Sequence, residues 1–441
     1  CGVCGGSGIP DSDCDCDGNV DSGCGCGEAG PSGCDNVCGS TAVDDCDLVC
    51  GGSAALDGCG VCDNNPGNDC DLTTSFELTY GTSGNDIGEA VIQTSDGGYI
   101  IAGNAGSDAV LIKIDNLGNQ SWEETYDVFG SSDYFADIKQ TNDGGYIIIG
   151  YANSAADVDN IYGYVIWLLK TDSDGTLEWD RIFQTDTADP DGDGNNTGKG
   201  SGVSIDITDG GYILFATSLD NETYVIKTDA SGNELSRDVH AGLNVKSGLA
   251  ISDGGSDDGY IFAAITTNYS DSWIIRVDNE GTVSWENEYG SSNLYSIEET
   301  SDGGYIAGGV ASSDFWLIKL DSSGNEDFDL LYDSSNYTHV AYSVDQANDD
   351  GYIAAGYKNN FSGNQDIWML KVNSVGAEEW DQTYPVSNSA DDWAYSVKSA
   401  SDDGYILTGF TKSSGEGQKD IYILKTDANG DVCNSGIYDC A

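Results

Sequence analysis

The sequence predicts an all-β protein: a seven-bladed β-propeller over residues 72–441, preceded by a disulfide-rich irregular arm over residues 1–71. Two repeated motifs lead to this prediction, and the first is a phrase of the type Asp-Gly-Gly-Tyr-Ile, which recurs seven times. Its tyrosines are 45 to 66 residues apart: Tyr99, Tyr146, Tyr212, Tyr260, Tyr305, Tyr352 and Tyr405. A repeat of about 45 residues with strand-like flanks is typical of the four-stranded blades of a propeller.

Each repeat is predicted to contain four strands, which in the first repeat cover residues 87–94, 99–103, 109–115 and 120–126. Asp-Gly between two strand-like runs indicates a hairpin, because glycine supplies the positive φ that such turns require. The third strands, such as residues 164–169, are almost continuously apolar. That pattern is typical of strands buried on both faces, here between neighbouring blades.

The second motif, Lys-x-Asp-x-x-Gly-x-x-x-Trp with variations, follows the third strand of each repeat. Seven of the 16 basic residues occupy its first position: Lys113, Lys170, Lys227, Arg276, Lys319, Lys371 and Lys425. In so acidic a chain, we interpret a cation repeated once per blade as a structural partner of carboxylates or turn carbonyls, rather than as part of a ligand site. We interpret the Trp or Phe that follows as packing between adjacent blades, rather than as a platform for a sugar.

The two ends of the repeat region predict how the ring closes. The last repeat stops after its third strand at residues 420–427, whereas residues 75–81 match the fourth-strand phrase of the first repeat at 121–126. We therefore expect a strand at residues 75–80 to complete the seventh blade, which removes an open sheet edge. If these strands are antiparallel, Cys70 falls close to Cys433, and we predict a disulfide between them.

The repeats resemble those of secreted bacterial and archaeal proteins built from DGGY-type propeller repeats, and the resemblance extends from about residue 72 to the end of the chain. It implies a seven-bladed propeller fold. It implies little about activity, because one fold supports many functions.

The arm contains 13 of the 15 cysteines. Dense cysteine in a short Gly/Asp-rich stretch predicts a disulfide scaffold and an extracellular or cell-surface location. Its units, such as Cys1-Gly-Val-Cys4 and Cys59-Gly-Val-Cys62, are loosely similar to thrombospondin type 3 repeats of extracellular calcium-binding proteins. The arm has no histidine, which favours disulfides over zinc. One cysteine of the odd total pairs with another molecule, stays free or is modified, and an N-terminal lipid on Cys1 is one of these alternatives.

Two segments with alternating acidic residues predict calcium sites. Their candidate oxygen ligands are Asp13, Asp15, Asp17, Asn19 and Asp21 in the arm, and Asp189, Asp191, Asp193 and Asn195 in a long insertion. Alternate carboxylates followed by glycine place oxygens around a hard cation. Both segments lack the acidic residue expected at position 12, so a solvated acidic loop is the alternative.

The net charge and the motifs disfavour several classes of function. A net charge of −60 disfavours nucleic acid and anionic lipid as partners. The sequence contains no run of 18 apolar residues, so it predicts no membrane-spanning helix. Both histidines are isolated in sequence. The turns between third and fourth strands are similar to the Asp-box turns of sialidases, but those enzymes hold a carboxylate with several arginines. This chain has three, Arg181, Arg237 and Arg276, so we predict that it is not an enzyme.

Two functional hypotheses remain. The first is a structural protein that self-associates through the arm into a surface filament or array. The second is an adhesin or ligand-binding propeller that recognises glycan or protein at the mouth of the ring. Tyr134, Phe135 and Trp393 are its candidate contacts, and a place in the blade core is the equal alternative for these aromatic residues. Six glycosylation sequons fit a secreted protein, and they begin at Asn119, Asn195, Asn221, Asn268, Asn336 and Asn360.

Overall fold

The computed structural model describes residues 55–56, 62–63, 75–158, 161–185, 200–218, 221–252, 257–333, 337–359, 363–384, 390–415 and 417–432. The chain divides into two compact units, Cys1–Thr73 with Cys433–Ala441, and Thr74–Val432. In the first unit, two short antiparallel strands are described, Ala55–Leu56 and Cys62–Asp63. The predicted disulfide and both predicted calcium segments lie outside the described residues, so they stay predictions.

The second unit is a seven-bladed β-propeller, and its described residues form no helix. Each blade is an antiparallel sheet whose strands we count from first to fourth, from the centre of the ring outward. Blades 1 to 3 consist of Asp86–Gln93, Tyr99–Ala105, Asp108–Ile114 and Gln120–Tyr126; Asp133–Gln140, Tyr146–Val158, Ile161–Thr171 and Leu177–Phe183; and Gly200–Thr208, Gly211–Ser218, Glu222–Asp229 and Glu234–Ala241. Blades 4 to 6 consist of Leu243–Ser252, Asp257–Thr266, Asp271–Val277 and Val283–Gly290; Ser292–Glu299, Tyr305–Ala311, Asp314–Leu320 and Glu326–Tyr332; and His339–Gln346, Tyr352–Asn359, Gln365–Val372 and Glu378–Tyr384.

The seventh blade combines the two ends of the propeller sequence. Its first three strands are Asp392–Ser399, Tyr405–Thr411 and Asp420–Thr426, and its fourth strand is Phe76–Tyr80. Phe76 pairs with Lys425 and Tyr80 pairs with Ile421 in an antiparallel register. This is the pairing that the matching phrases predict.

The core lies between the blades. Seven buried apolar clusters are present, one at each junction of adjacent blades. At the junction of blades 7 and 1, for example, Ile421 and Ile423 pack with Val110 and Ile112. The apolar third strands supply much of this core because both of their faces are covered, as the sequence predicts.

The ends of the blades form two different surfaces. The turns from first to second strand and from third to fourth strand lie at one end, which we call the turn face. The loops from second to third strand and the connections between blades lie at the other end, which we call the loop face. The third-to-fourth turns of the turn face are uniform: in all seven blades the Asp or Asn of the second motif accepts hydrogen bonds from two backbone N–H groups, and the following motif glycine has φ between 75° and 82°.

The repeated cation has the structural role predicted for it in five blades. Lys371 Nζ lies 2.8 Å from Asp349 Oδ2 and 2.7 Å from Glu379 Oε2, and it also donates to the carbonyl of Val372. Equivalent pairs are Lys113–Asp96, Lys170–Asp143, Lys319–Asp302 and Lys425–Asp402. Hydrogen bonds from the Thr141 hydroxyl, the Gly145 N–H and Lys170 lower the pKa of Asp143 to about 2.

The aromatic residue of the second motif joins neighbouring blades, again as predicted. Trp380 covers Gly430 and lies with its ring centroid 5.8 Å from that of Tyr405. Six junctions have such a pair at 5.8 to 6.2 Å: Phe76–Tyr99, Trp122–Tyr146, Trp179–Tyr212, Trp285–Tyr305, Phe328–Tyr352 and Trp380–Tyr405. In blade 3 the position is occupied by Ser236, so the repeat motifs leave one junction without this contact.

Candidate functional site

A β-bulge at the same place in every first strand determines what lines the central channel. The bulged residues are Glu89, Ala136, Val203, Lys246, Tyr295, Tyr342 and Tyr395. All seven line the channel. A bulge re-aims the side chain that it carries, and bulges are frequent beside functional sites. Because these seven residues differ in size and charge, the bulge layer is where the sevenfold repeat breaks down.

The residue after the bulge forms a belt that holds the blades together. It is serine in five blades, Ser204, Ser247, Ser296, Ser343 and Ser396, with Asp137 in blade 2 and Ala90 in blade 1. Each of the six polar side chains hydrogen-bonds to the backbone of the next blade. For example, Ser343 Oγ accepts a bond of 3.1 Å from the N–H of Val397. These bonds explain the serines without a ligand.

Nearer the turn face, a layer of paired charges lines the channel. It contains Lys139, Glu298 and Lys398, which line the channel, together with Asp206 beside Lys139 and Asp345 beside Lys398. Lys398 forms an ion pair with Glu298 and lies 3.4 Å from Asp345 Oδ1. Burial raises the pKa of Glu298, but Lys398 and Lys139 more than offset this effect and leave that pKa lowered. The layer is thus an internal ion network that joins several blades.

An aromatic wall covers the side of the channel formed by blades 5, 6 and 7. The bulged Tyr295, Tyr342 and Tyr395 form a chain of ring contacts with centroid distances of 4.9 and 5.2 Å. Trp393 stacks against this wall, 5.8 Å from Tyr342. Glu89 lines the channel beside it, and burial raises its pKa to about 7, although Lys419 opposes that rise.

The opposite side of the channel mouth has no such wall, and a pocket of about 410 Å³ opens there on the loop face. Val203 stands at the bulge position where blades 5 to 7 have tyrosine, so its small side chain leaves room. The volume falls within the range of about 300–1,000 Å³ that is usual for small-molecule sites. The lining consists of Tyr151, Tyr164 and Tyr269, of Thr217, Ser218, Asn221 and Asn244, and of Val203, Val245 and Lys246.

Two of the three tyrosines that line the pocket are fixed by contacts with other aromatic rings. Tyr151 stacks on Tyr134 at 4.8 Å and meets Tyr164 edge-on at 5.3 Å. Tyr164 is 41% exposed, so one side of its ring is open to a ligand. Across the pocket, Asn244 Nδ2 donates a bond of 3.2 Å to Asn221 Oδ1. These contacts fix side chains before a ligand arrives, which lowers the entropic cost of binding.

Tyr269 occupies an unusual backbone position. The loops of blades 3 and 4 form the same turn, in which the N–H of Asn221 bonds to the carbonyl of Ser218 and the N–H of Tyr269 to that of Thr266. The φ angles of Asn221 and Tyr269 are 62° and 55°. Asn adopts this left-handed conformation readily, whereas a bulky residue seldom does. Tyr269 is also 63% exposed, so a strained position places an exposed ring at the pocket.

The structure decides between ligand contact and blade core for the three aromatic candidates: one lies in the core, and the other two pack against residues that line the pocket and the channel. Phe135 is 1% exposed and packs between Tyr126 and Trp167, so it belongs to the core. Tyr134 supports Tyr151, and Trp393 belongs to the aromatic wall. Sequence reasoning missed the pocket residues Lys246, Tyr269, Asn221 and Asn244. An alignment of the first strands at their bulge would have shown that Lys246 is the one basic residue at the bulge position.

The remaining polar candidates do not converge. Arg181, Arg237 and Arg276 lie on different strands, and their partners include the carbonyl of Asp180, the carboxylate of Glu234 and the hydroxyl of Tyr305. His240 Nε2 lies 3.3 Å from the hydroxyl of Tyr260, while His339 is fully buried in another blade. Within the part of the chain that the structure describes, no three His, Cys, Asp or Glu side chains are placed to share a metal ion. The same residues include no helix long and apolar enough to cross a membrane.

Comparison with known proteins assigns no family or function to this chain. No family model and no curated protein matches this chain. Solved structures similar to it include the Dos1 propeller, with 12% identity, a TM-score of 0.47 and coverage of 76% of each chain. YCF48 bound to the D1 peptide has 13% identity and a TM-score of 0.49, and covers 81% of this chain and 98% of its own. Chaetomium thermophilum Sqt1, bound to the N-terminus of a ribosomal protein, has 11% identity and a TM-score of 0.45, with coverage of 81% and 100%.

Proposed function

We propose that this propeller is a saccharide-binding domain whose site is the loop-face pocket of blades 2 to 4. The observation that carries the proposal is the pocket's lining: tyrosine rings together with neutral amides and hydroxyls, all supplied by residues outside the repeat motifs. The apolar C–H face of a sugar ring packs on an aromatic ring, and the sugar hydroxyls need partners that both donate and accept. Asn and Ser side chains do both.

The lining also favours binding without hydrolysis. Glycoside hydrolases use two carboxyl groups that flank the bond to be cleaved, between about 5 and 9.5 Å apart. None of the ten lining residues carries a carboxyl group. The prediction that the chain is not an enzyme therefore stands as part of the proposal, and a saccharide would be held and released unchanged.

A panel of saccharides tests the proposal on the intact chain. The protein should come from a host that adds no N-glycans, because Asn221 lines the pocket and the Asn268 sequon lies beside Tyr269. Val203→Tyr places at this bulge the side chain found in blades 5 to 7, and we expect it to fill the pocket and abolish binding. The matched control Tyr295→Phe, at the bulge of blade 5, should bind normally. Binding that survives Val203→Tyr, or a panel that gives no binding while peptides bind, would overturn the saccharide assignment.

Assembly through the arm remains a second proposal, and the sequence alone supports it. A disulfide scaffold of 13 cysteines beside a propeller supplies two unlike surfaces, which can generate open filaments when they meet. Calcium bound by the two acidic segments would reduce the repulsion of a −60 chain. Electron microscopy of the intact protein with calcium, and of a variant without residues 1–71, tests it: filaments should form only with the arm. An extracellular surface location would suit both proposals.

A further inference from the structure

Lys246 differs from most other lysines of the propeller. The chain has 76 acidic and only 16 basic residues, and five of the six lysines of the second motif, like both lysines of the charged layer, have acidic neighbours. Lys246 forms no ion pair with any residue that the structure describes. It stands at the bulge of blade 4, half-buried, and it lines both the pocket and the channel.

The pocket around Lys246 is free of acidic residues. About one residue in six of the whole chain is Asp or Glu, yet none of the ten lining residues is. Both neighbouring loops contribute neutral side chains instead, with Asn221 from blade 3 and Tyr269 from blade 4. On a surface with 60 excess negative charges, this pocket is a place where an anion meets one cation and no carboxylate.

The environment of Lys246 makes its positive charge costly. Burial alone accounts for the lowering of its pKa, and no carboxylate opposes that effect. A half-buried cation without a partner reduces stability, because its desolvation is not repaid. Perturbed titratable groups of this kind concentrate at functional sites, where a ligand supplies the missing partner.

We propose that the pocket takes an acidic saccharide, with a carboxylate or sulfate group against Lys246 Nζ and sugar rings against Tyr164 and Tyr269. This inference rests on the proposed saccharide site and adds the chemical class of its ligand. Lys246 lies where the pocket meets the channel, so the anionic group is the part of the ligand that enters deepest. The net charge of the chain opposes approach of any anion, so selectivity comes from the pocket itself.

The test compares acids with their neutral counterparts on the intact chain. The probes are uronic acid oligosaccharides, their methyl esters and sulfated disaccharides, titrated against wild type, Lys246→Met and Lys412→Met. A charge-assisted hydrogen bond should make wild type prefer an acid over its ester by about 10- to 100-fold. Lys246→Met should remove that preference and keep the affinity for the ester. Lys412→Met, which removes an exposed lysine paired with Asp391, should change neither.

The outcomes separate the two proposals. If wild type binds esters as tightly as acids, or if Lys246→Met keeps the preference, the acidic ligand is refuted while the saccharide pocket stands. If no probe binds while a neutral saccharide of the panel does, the acidic ligand alone is refuted; if neither the probes nor the panel bind, both proposals fail. A preference confined to uronates or to sulfated sugars identifies which anionic group Lys246 holds.

Discussion

The turn face and the loop face of this propeller connect the same 28 strands, but they differ in how closely the seven blades resemble one another. On the turn face, every third-to-fourth turn repeats the same backbone hydrogen bonds, with the second-motif carboxylate or amide at its centre. On the loop face, blades differ in loop length, in the sign of φ and in what they present to the channel. Repetition on one face fixes the geometry of the ring, which leaves the residues of the other face free to differ.

The difference also separates stability from recognition. The Trp–Tyr contacts, the motif lysines and the serine belt are each repeated in five or six blades, so each serves the ring as a whole. The pocket is built from residues found in single blades, such as Val203, Lys246 and Tyr269. We therefore expect substitutions of motif residues to change the free energy of unfolding, and substitutions in the pocket to change binding.

Trp380→Ala should have the largest effect on stability. Trp380 packs on Tyr405 and Gly430 of the next blade, so its removal opens a cavity at a blade junction. Loss of a large aromatic side chain costs about 3 kcal/mol when it is packed in this way. Urea unfolding followed by fluorescence measures the change, and saccharide binding by the folded variant should stay at the wild-type level. An unfolding free energy within about 0.5 kcal/mol of wild type would show that the contact does not bind the blades together.

Lys371→Met should have the second largest effect and lower the free energy of unfolding by about 2–3 kcal/mol. The buried ammonium donates to two carboxylates and to the carbonyl of Val372, and methionine fills similar space without these charge-assisted bonds. Lys412→Met is the matched control on the loop face, where the lysine is 37% exposed and pairs with Asp391. An exposed pair of this kind contributes less than about 1 kcal/mol. Equal losses in the two variants would contradict a special role for the motif lysine.

The turn face could be predicted from the sequence because its chemistry is local. Asp, Gly and Tyr recur at fixed spacing, and the turn that they form needs only backbone bonds within a few residues. The closing strand Phe76–Tyr80 could be predicted for the same reason: its phrase matches the other fourth strands. Packing of Trp380 and its equivalents between blades followed from their position after a buried third strand.

The pocket could not be predicted in the same way. It depends on which bulged side chains are small and which are large around a closed ring, so it combines residues from three blades. Phe135 and Val203 show the difficulty, since both lie near the start of a first strand, yet one is core and the other opens the pocket. One residue of register decides between these outcomes, and the bulge sets that register.

Glu89→Gln should give a smaller effect that depends on pH. Burial in the channel raises the pKa of Glu89 from 4.5 to about 7, so the folded state keeps a proton that the unfolded state has lost between these pH values. Ionisation therefore destabilises the wild type progressively from pH 4.5 to 7, and glutamine escapes this penalty. The variant should match the wild type at pH 4 and exceed it by about 1–2 kcal/mol at pH 8, less than the full shift implies because the channel admits water.

The pH dependence of unfolding checks this prediction, with the difference between the two proteins taken at each pH. Taking differences removes the titration of the other carboxylates, which both proteins share. A constant difference from pH 4 to 8 would mean that folding leaves the pKa of Glu89 near its ordinary value of 4.5, with Lys419 offsetting the effect of burial.

Tyr269→Asn should change stability least, and in the opposite direction from its effect on binding. Asn221 shows that asparagine suits this turn, at a φ of 62° against 55° for Tyr269. Relief of the left-handed strain should raise the free energy of unfolding by up to about 1 kcal/mol. Loss of the exposed ring should weaken saccharide binding at least tenfold, which corresponds to about 1.4 kcal/mol. Thermal unfolding and titration of the same preparation measure both changes, with Tyr337→Asn, an exposed tyrosine outside the pocket, as control. A Tyr269→Asn variant that gains stability and binds normally would remove Tyr269 from the site and leave its strained conformation without a purpose in recognition.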